Sequence, residues 1–305
     1  MTSSCASTEW LLDSLECDAS LFHAGRYCGG WQASTQGSAR ASFHLLVDGQ
    51  CWLHLDGQPP EALTSGDAVF LLHDLPFRLA SSANSADACQ LPRGQMGALA
   101  ERPGEGAGLV CGFFDFTGSL SRLIIEALPA VLVLRADDAQ AQGPQALFQL
   151  IRQEAADPQS SALVLERLSQ LLFLYVLRDQ LNRPAEQLGG LVALARHAQF
   201  GPLLERLIEA PEQPWSLVDM AAVTGLSRSA FSKRFLEVSG QSPGQVLLAL
   251  RLRRACRELD ADRSVEAVAE RVGYRSVAAF VRAFSKEYGL PPGAYRRRKR
   301  PVVSA

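Results

Sequence analysis

The chain has no run approaching about 18 uninterrupted apolar residues, which excludes an ordinary membrane-spanning helix. Its opening stretch, MTSSCASTEWLLDSLECD, is acidic and too short of apolar residues for a secretory signal. A cytoplasmic location with no membrane partner is therefore expected. The seven cysteines are odd in number and irregular in spacing, with no CxxC pair, which argues against a disulfide framework or a zinc site. A phosphate-binding glycine loop, a nucleophile elbow and an HExxH motif are missing as well. No catalytic residue, metal or cofactor is expected, and the chain does not read as an enzyme.

What is present fits a two-part chain. With 305 residues, 47% of them hydrophobic, the sequence can fill two packed cores. The net charge of −2 hides an asymmetry. Residues 201–305 carry 18 Lys and Arg against 11 Asp and Glu, whereas residues 1–200 carry 12 against 21. A basic module joined to an acidic one points to a polyanion met by the C-terminal part alone.

That basic part contains a repeat. Ala221 and Gly225 recur 48 positions later as Ala269 and Gly273. The offset then becomes 49, and Ser227, Phe231, Phe235, Gly240, Pro243 and Gly244 reappear as Ser276, Phe280, Phe284, Gly289, Pro292 and Gly293. One supersecondary unit occurs twice, and it reads as helix, tight glycine turn, helix.

In the first copy, Ser216 caps a helix and Asp219 favours its exposed amides. Leu217, Met220, Ala221 and Val223 pack inward, and Gly225 supplies the positive φ of the turn. Leu226, Phe231, Phe235 and Val238 anchor the second helix, leaving Ser229, Ser232 and Lys233 outward. In the second copy Ser264 caps, Phe280 and Phe284 anchor, and Ala278, Arg282 and Ser285 face out, flanked by Arg275 and Lys286. Such a face suits a DNA major groove, where an arginine at 282 can hold guanine O6 and N7 with about 1–3 kcal/mol of discrimination. Between the copies, Gln245–Leu259 reads as a connecting helix with a basic flank of Arg251, Arg253, Arg254 and Arg257. It can hold the two outward helices about one DNA turn apart, roughly 34 Å. The run Arg296–Arg300 adds phosphate attraction without sequence preference.

Upstream, residues 20–135 alternate short apolar runs with turns. Phe43–Val47 meets Asp48-Gly49, Cys51–Leu55 meets Asp56-Gly57, and Ala68–Leu72 follows Ser65-Gly66-Asp67. These Asp-Gly pairs predict hairpins in a sandwich or small barrel. Residues 81–108, rich in Ala, Ser, Gly and Pro, read as a long loop before a strand at Leu109–Phe116. From about 144 the period becomes helical, through Leu147, Leu150 and Ile151 and then a nearly all-apolar stretch from Leu163 to Leu181. That stretch packs on its own barrel or forms the seam of a homodimer. Ala185–Gly190 reads as a linker.

With these residues in place, the stretch 201–298 resembles the AraC/XylS-type DNA-binding domain. The closest correspondence is Val272-Gly273-Tyr274, Phe280, Phe284–Gly289 and Pro291–Arg296. The resemblance implies base contacts from Ser229, Ser232 and Lys233 and from Ala278, Ala279 and Arg282, with Ser227, Arg228, Arg275, Ser276 and Lys286 beside them. The two alanines offer only methyl contacts. Residues 8–180 resemble more loosely the cupin-like sensor domain of one AraC-type subgroup, through Phe43-His44, Gly49–Leu53, Gly66–Leu71 and Leu109–Gly112. The implied organisation is α+β. A cupin-like β-barrel at 8–140 is followed by helices at 141–190, with possible dimerisation, and by an all-α domain with two helix-turn-helix motifs at 201–298.

The resemblance also implies a sequence-specific transcriptional regulator that binds promoter DNA, contacts RNA polymerase and answers a small-molecule effector or oxidant. Candidate pocket residues are His44, Trp52, His54 and Phe77. For a metal, His44 stands at the first ligand position, but His54 and His73 do not reproduce HxH and Phe77 replaces a common histidine. Cys51 and Cys111 sit in apolar strands and read as core, which leaves Cys89 as the redox candidate. The alternative, a cupin-type metalloenzyme fused to a DNA-tethering domain, would need a metal constellation.

Overall fold

The structure, a computed structural model, describes residues 3–99, 106–138, 142–157, 159–182 and 190–298. Its contacts divide the chain into two compact units: residues 17–115 with 129–180, and residues 1–16 with 116–128 and 181–305.

After α1 (Ser3–Ser14), the chain enters the first unit through β1 (Cys17–Tyr27), β2 (Gln32–Ala33) and β3 (Ala41–Leu55). β4 (Glu61–Thr64), β5 (Ala68–Leu71) and β6 (Phe77–Ala80) follow, then α2 (Ser85–Gln90) and β7 (Ala107–Phe116). The chain next forms α3 (Gly118–Glu126) and returns as β8 (Val131–Leu134), α4 (Gln142–Ala156) and α5 (Ala162–Leu181). The strands run in the order β1-β7-β3-β5-β8, with β4 and β6 also on β3, and β2 on β6.

β3 organises this unit. The hairpin expected at Asp48-Gly49 does not form: one 15-residue strand runs through it. The register against β7 shifts between Leu46 and Asp48, and Gly49 takes φ +79°. An Asp-Gly pair that could close a turn instead makes a bulge, which bends the strand. Its first half pairs with β5 and β7, and its second half with β4 and β6. The hairpin at Asp56-Gly57 does form, joining β3 to β4 in antiparallel register. The stretch 81–108 is not all loop, because Asn84 caps α2 by accepting from the Ala86 and Asp87 amides.

Two layers of side chains result. Leu46, Cys51, Leu53, Leu63, Val69, Leu71, Phe77, Leu79, Leu109 and Cys111 fill the space between the strands. On the opposite face, Phe43, Phe70 and Phe114 meet Phe173 of α5, with Phe114 and Phe173 ring centroids 4.7 Å apart. Phe173 thus seats α5 on its own sheet, and Leu165, Leu172, Val176 and Leu177 of the same helix are buried as well. Leu163, Val164 and Leu171 stay exposed.

The second unit continues with α6 (Gly190–Arg196), α7 (Gly201–Glu209), α8 (Leu217–Thr224) and α9 (Arg228–Ser239). α10 (Pro243–Asp260), α11 (Val265–Arg271), α12 (Val277–Tyr288) and α13 (Pro292–Arg298) complete it. These helices also gather α1 and α3, although the 8–140 segment of the sequence reading takes in α3 and the later part of α1; α3 lies along α10. Likewise α4 and α5, assigned by sequence to a separate 141–190 block, belong with the strands. The linker read at Ala185–Gly190 lies outside the described residues except for Gly190. Among the described residues, no helix is long and apolar enough to cross a membrane.

Candidate nucleic-acid interface

The repeat folds as two helix-turn-helix units, α8–α9 and α11–α12. In the first, Ser216 and Asp219 form a reciprocal capping box, and Gly225 turns the chain with φ +67°. The Leu226 amide donates to Ala221 O at 3.1 Å; in the second unit the Tyr274 amide donates to Ala269 O at 2.9 Å. The one-residue slip falls just after these bonds. Between Gly273 and Ser276 the second unit has Tyr274 and Arg275, where the first has only Leu226. Tyr274 turns in to meet Phe280 edge-on at 5.5 Å, while Arg275 is exposed. Ser227 and Ser276 then cap α9 and α12, accepting from the Ala230 and Ala279 amides.

Buried aromatics fix the roll of each outer helix. Phe231 and Phe235 pack edge-on or tilted with Phe200 between α6 and α7. Phe280 and Phe284 sit in a core with Leu252, Cys256, Val268 and Val272. On α9, Arg228, Ser229 and Lys233 are therefore exposed and Ser232 is half-buried; on α12, Ala278, Arg282 and Lys286 are exposed and Ala279 is half-buried. Ser227, Arg275 and Ser276 are exposed at the helix starts. Lys233 lies 3.9 Å from Glu237 in an exposed pair of the kind worth a few tenths of a kcal/mol, so it remains available to a polyanion.

Sequence reasoning missed Leu236, which is 51% exposed on α9. Helical spacing carries the signal for it, since Leu236 stands three and seven residues after Lys233 and Ser229 on the same outward stripe.

The basic flank of α10 turns out to be engaged within the protein. Arg251 donates from Nε to Pro211 O at 2.7 Å and from Nη2 to Gln213 O at 2.8 Å, and Arg254 pairs with Glu212. Arg253 pairs with Glu16 and donates to Asp13 O, while Arg257 pairs with the Asp13 carboxylate. These bonds brace the module. The 211–213 segment held by Arg251 and Arg254 also touches the turn of the second unit, where the Gly273 Cα abuts the Glu212 backbone. Arg122 of α3 pairs with Glu287 of α12. In the C-terminal run, Arg296 donates to Arg263 O at 3.0 Å and Arg297 is exposed. Lys299 and Arg300 lie outside the described residues, and nothing is described of the Arg298 side chain.

The four pocket candidates separate. His44 and Phe77 meet between the strands with ring centroids 5.4 Å apart. His44 is 5% exposed; its Nδ1 lies 3.1 Å from Cys111 Sγ and its Nε2 lies 3.4 Å from Ser42 Oγ. Burial lowers its pKa to about 3, so the ring is neutral, and the same burial raises the Cys111 thiol. Trp52 and His54 alternate with the inward Cys51, Leu53 and Leu55, so they lie on the other face of β3. There His54 Nδ1 lies 3.0 Å from Ser85 Oγ and its Nε2 lies 2.9 Å from Ser82 O. Among the described residues, no group of three or more His, Cys, Asp or Glu is arranged to hold a metal ion. Cys89 is exposed on α2, with the Arg78 Nη1 3.2 Å from its sulfur.

Known proteins bear the same two-part pattern. A cupin family model matches residues 9–182, and a helix-turn-helix domain model matches residues 220–298. A Streptomyces lividans protein described as an AraC-like transcription regulator is 29% identical over 285 residues, 92% of each chain. An uncharacterized HTH-type transcriptional regulator of Haemophilus influenzae is 30% identical over 278 residues, covering 88% of this chain and 91% of that protein. The RCS-specific HTH-type transcriptional activator RclR of Escherichia coli K12 is 27% identical over 273 residues, covering 84% of this chain and 94% of that protein.

Proposed function

The chain belongs to the AraC-type transcription regulators that join a cupin domain to a helix-turn-helix domain, and from that premise we propose that it reads an asymmetric promoter site with α9 and α12. The observation that carries this reading is the contrast between the two outer helices. They share buried anchors, but one presents Ser229, Ser232 and Lys233 and the other Ala278, Ala279 and Arg282. Arg282 is exposed on α12 and makes no hydrogen bond or ion pair among the described residues, which suits a side chain that meets guanine. The alanines accept only apolar neighbours such as a thymine methyl. Ser227, Arg228, Arg275, Ser276 and Lys286 then serve the flanking phosphates.

In this reading the protein works in the cytoplasm as a regulator and not as an enzyme, and it engages RNA polymerase from the promoter. The strand-bearing unit receives a small organic effector. A second reading, an oxidant signal at Cys89, is favoured by the exposure of this thiol at the surface of α2, beside the Arg78 guanidinium. The exposed Leu163, Val164 and Leu171 of α5 offer a seam to a second copy of the chain.

Gel shifts over a range of salt on specific and random DNA test the base-reading role. Arg282→Ala is expected to weaken specific binding by about 1–3 kcal/mol and to relax preference at one base pair. Equal losses on both DNAs would remove Arg282 from base recognition.

A further inference from the structure

The helix-turn-helix unit contains a cleft that DNA reading does not use. Trp10 of α1 stands between two adjoining hollows. One, of about 330 Å³, has Trp10, Ala195, Leu204 and Ile208 as its apolar wall. The other, of about 320 Å³, shares Trp10 and Ile208 and ends against Ser14 and Arg253. Each is large enough for a small organic molecule.

The polar end is incomplete. Arg253 directs one Nη to Glu16 and the other to Asp13 O at 3.0 Å, yet its buried Nε has no partner. Ser14 is 0% exposed and its Oγ also has no partner. Both residues line the second hollow, where Arg253 also reaches the carbonyl of Asp13, the residue before Ser14. A buried donor left without an acceptor costs about 1–3 kcal/mol. A guanidinium N–H can only donate, so whatever satisfies it must bring a lone pair. Arg254 and Arg257, which line the same hollow, are already neutralised by Glu212 and Asp13. The site therefore asks for one oxygen acceptor on an apolar body, not for a polyanion.

We propose that the cleft around Trp10 binds a small apolar molecule headed by a carbonyl or carboxylate oxygen, which accepts from Ser14 Oγ and Arg253 Nε while its body lies against Trp10, Leu204 and Ile208. This site is separate from the strand interior and from α9 and α12, so it stands whether or not the promoter reading holds.

Titration calorimetry on the full chain tests it with three probes that share one apolar body: 4-phenylbutyrate, 4-phenylbutanamide and 4-phenylbutylamine. The amide is expected to bind and the amine, which lacks an acceptor, is not. Binding of the acid more tightly than the amide assigns an anionic head, and equal binding a neutral one. Ser14→Ala, which removes only the orphan hydroxyl, is expected to weaken binding about tenfold. Arg253→Lys keeps the charge opposite Glu16 but loses Nε, and is expected to do the same; Trp10→Ala should abolish binding. An unchanged melting temperature of Ser14→Ala shows that its fold is intact. Equal binding of the amine, unchanged affinity in both Ser14→Ala and Arg253→Lys, or no binding of any probe below about 1 mM would overturn the proposal. Water would then be what meets the two donors.

Discussion

Gly225 and Gly273 occupy the same place in the two repeats, with φ of +67° and +80°, so alanine at either must adopt a left-handed backbone. That conformation costs an L-residue roughly 1–2 kcal/mol. At Gly225 nothing more is added, because a Cβ there meets no atom within 4 Å. At Gly273 the new Cβ would lie 2.3 Å from Glu212 O, so the backbone of one or the other must move. The 211–213 segment cannot yield freely, since Arg251 holds both Pro211 O and Gln213 O and Arg254 holds the Glu212 carboxylate. Overpacking of this kind adds about 1–3 kcal/mol. At about 2–4 °C per kcal/mol, Gly273→Ala should lower the melting transition of its unit by roughly 2–12 °C more than Gly225→Ala. Scanning calorimetry of the two variants measures the difference directly, and the parent chain supplies the reference. Equal shifts would refute the idea that the loop before the first motif braces the turn of the second.

Two further outcomes follow from burial. His44 is held neutral at about 3, well below its ordinary value near 6.5, so between those pH values the unfolded chain carries a proton that the folded chain does not. Stability should fall as pH drops from 6.5 towards 3, by up to about 1.4 kcal/mol per pH unit from this group, and be indifferent to it above 6.5. Denaturant titrations of His44→Gln should lack that contribution, and an identical acid slope in the variant would contradict it. Among the described cysteines, Cys28 and Cys89 are exposed while Cys17, Cys51, Cys111 and Cys256 are buried. Burial raises the thiols of Cys51 and Cys256 to about 12. In a Cys5→Ser background, two thiols should therefore react with a thiol reagent before unfolding and four only after it. More than two fast thiols would show that a core opens in the native state.

The second copy of the repeat illustrates how much could be read without coordinates. Phenylalanines four residues apart determine which side of each outer helix is buried, so the outward Ser229, Lys233, Ala278 and Arg282 follow from helical periodicity alone. The caps at Ser216 and Ser264 and the turns at Gly225 and Gly273 are equally legible, because they depend on chemistry within a few residues. Asp48-Gly49 shows where such local reading stops. The same pair can close a hairpin or make a bulge, and pairing of both halves of β3 with distant strands selects the bulge. His54 could not be told from a pocket residue for the same reason: the bulge changes which face each later residue occupies.

Sequence by itself determined the two-part organisation, the duplicated motif and the mismatch between its outward faces, since each rests on spacing along one chain. Only the tertiary structure decided where the charges and the short helices go. Arg253 and Arg257 read as a basic flank for DNA until Glu16 and Asp13, more than 230 residues away, are brought against them. α1 and α3 read as part of the N-terminal domain until α3 packs along α10 and α1 packs against α6 and α3. Ion pairing and burial depend on distance in space, and separation along the chain carries no information about it.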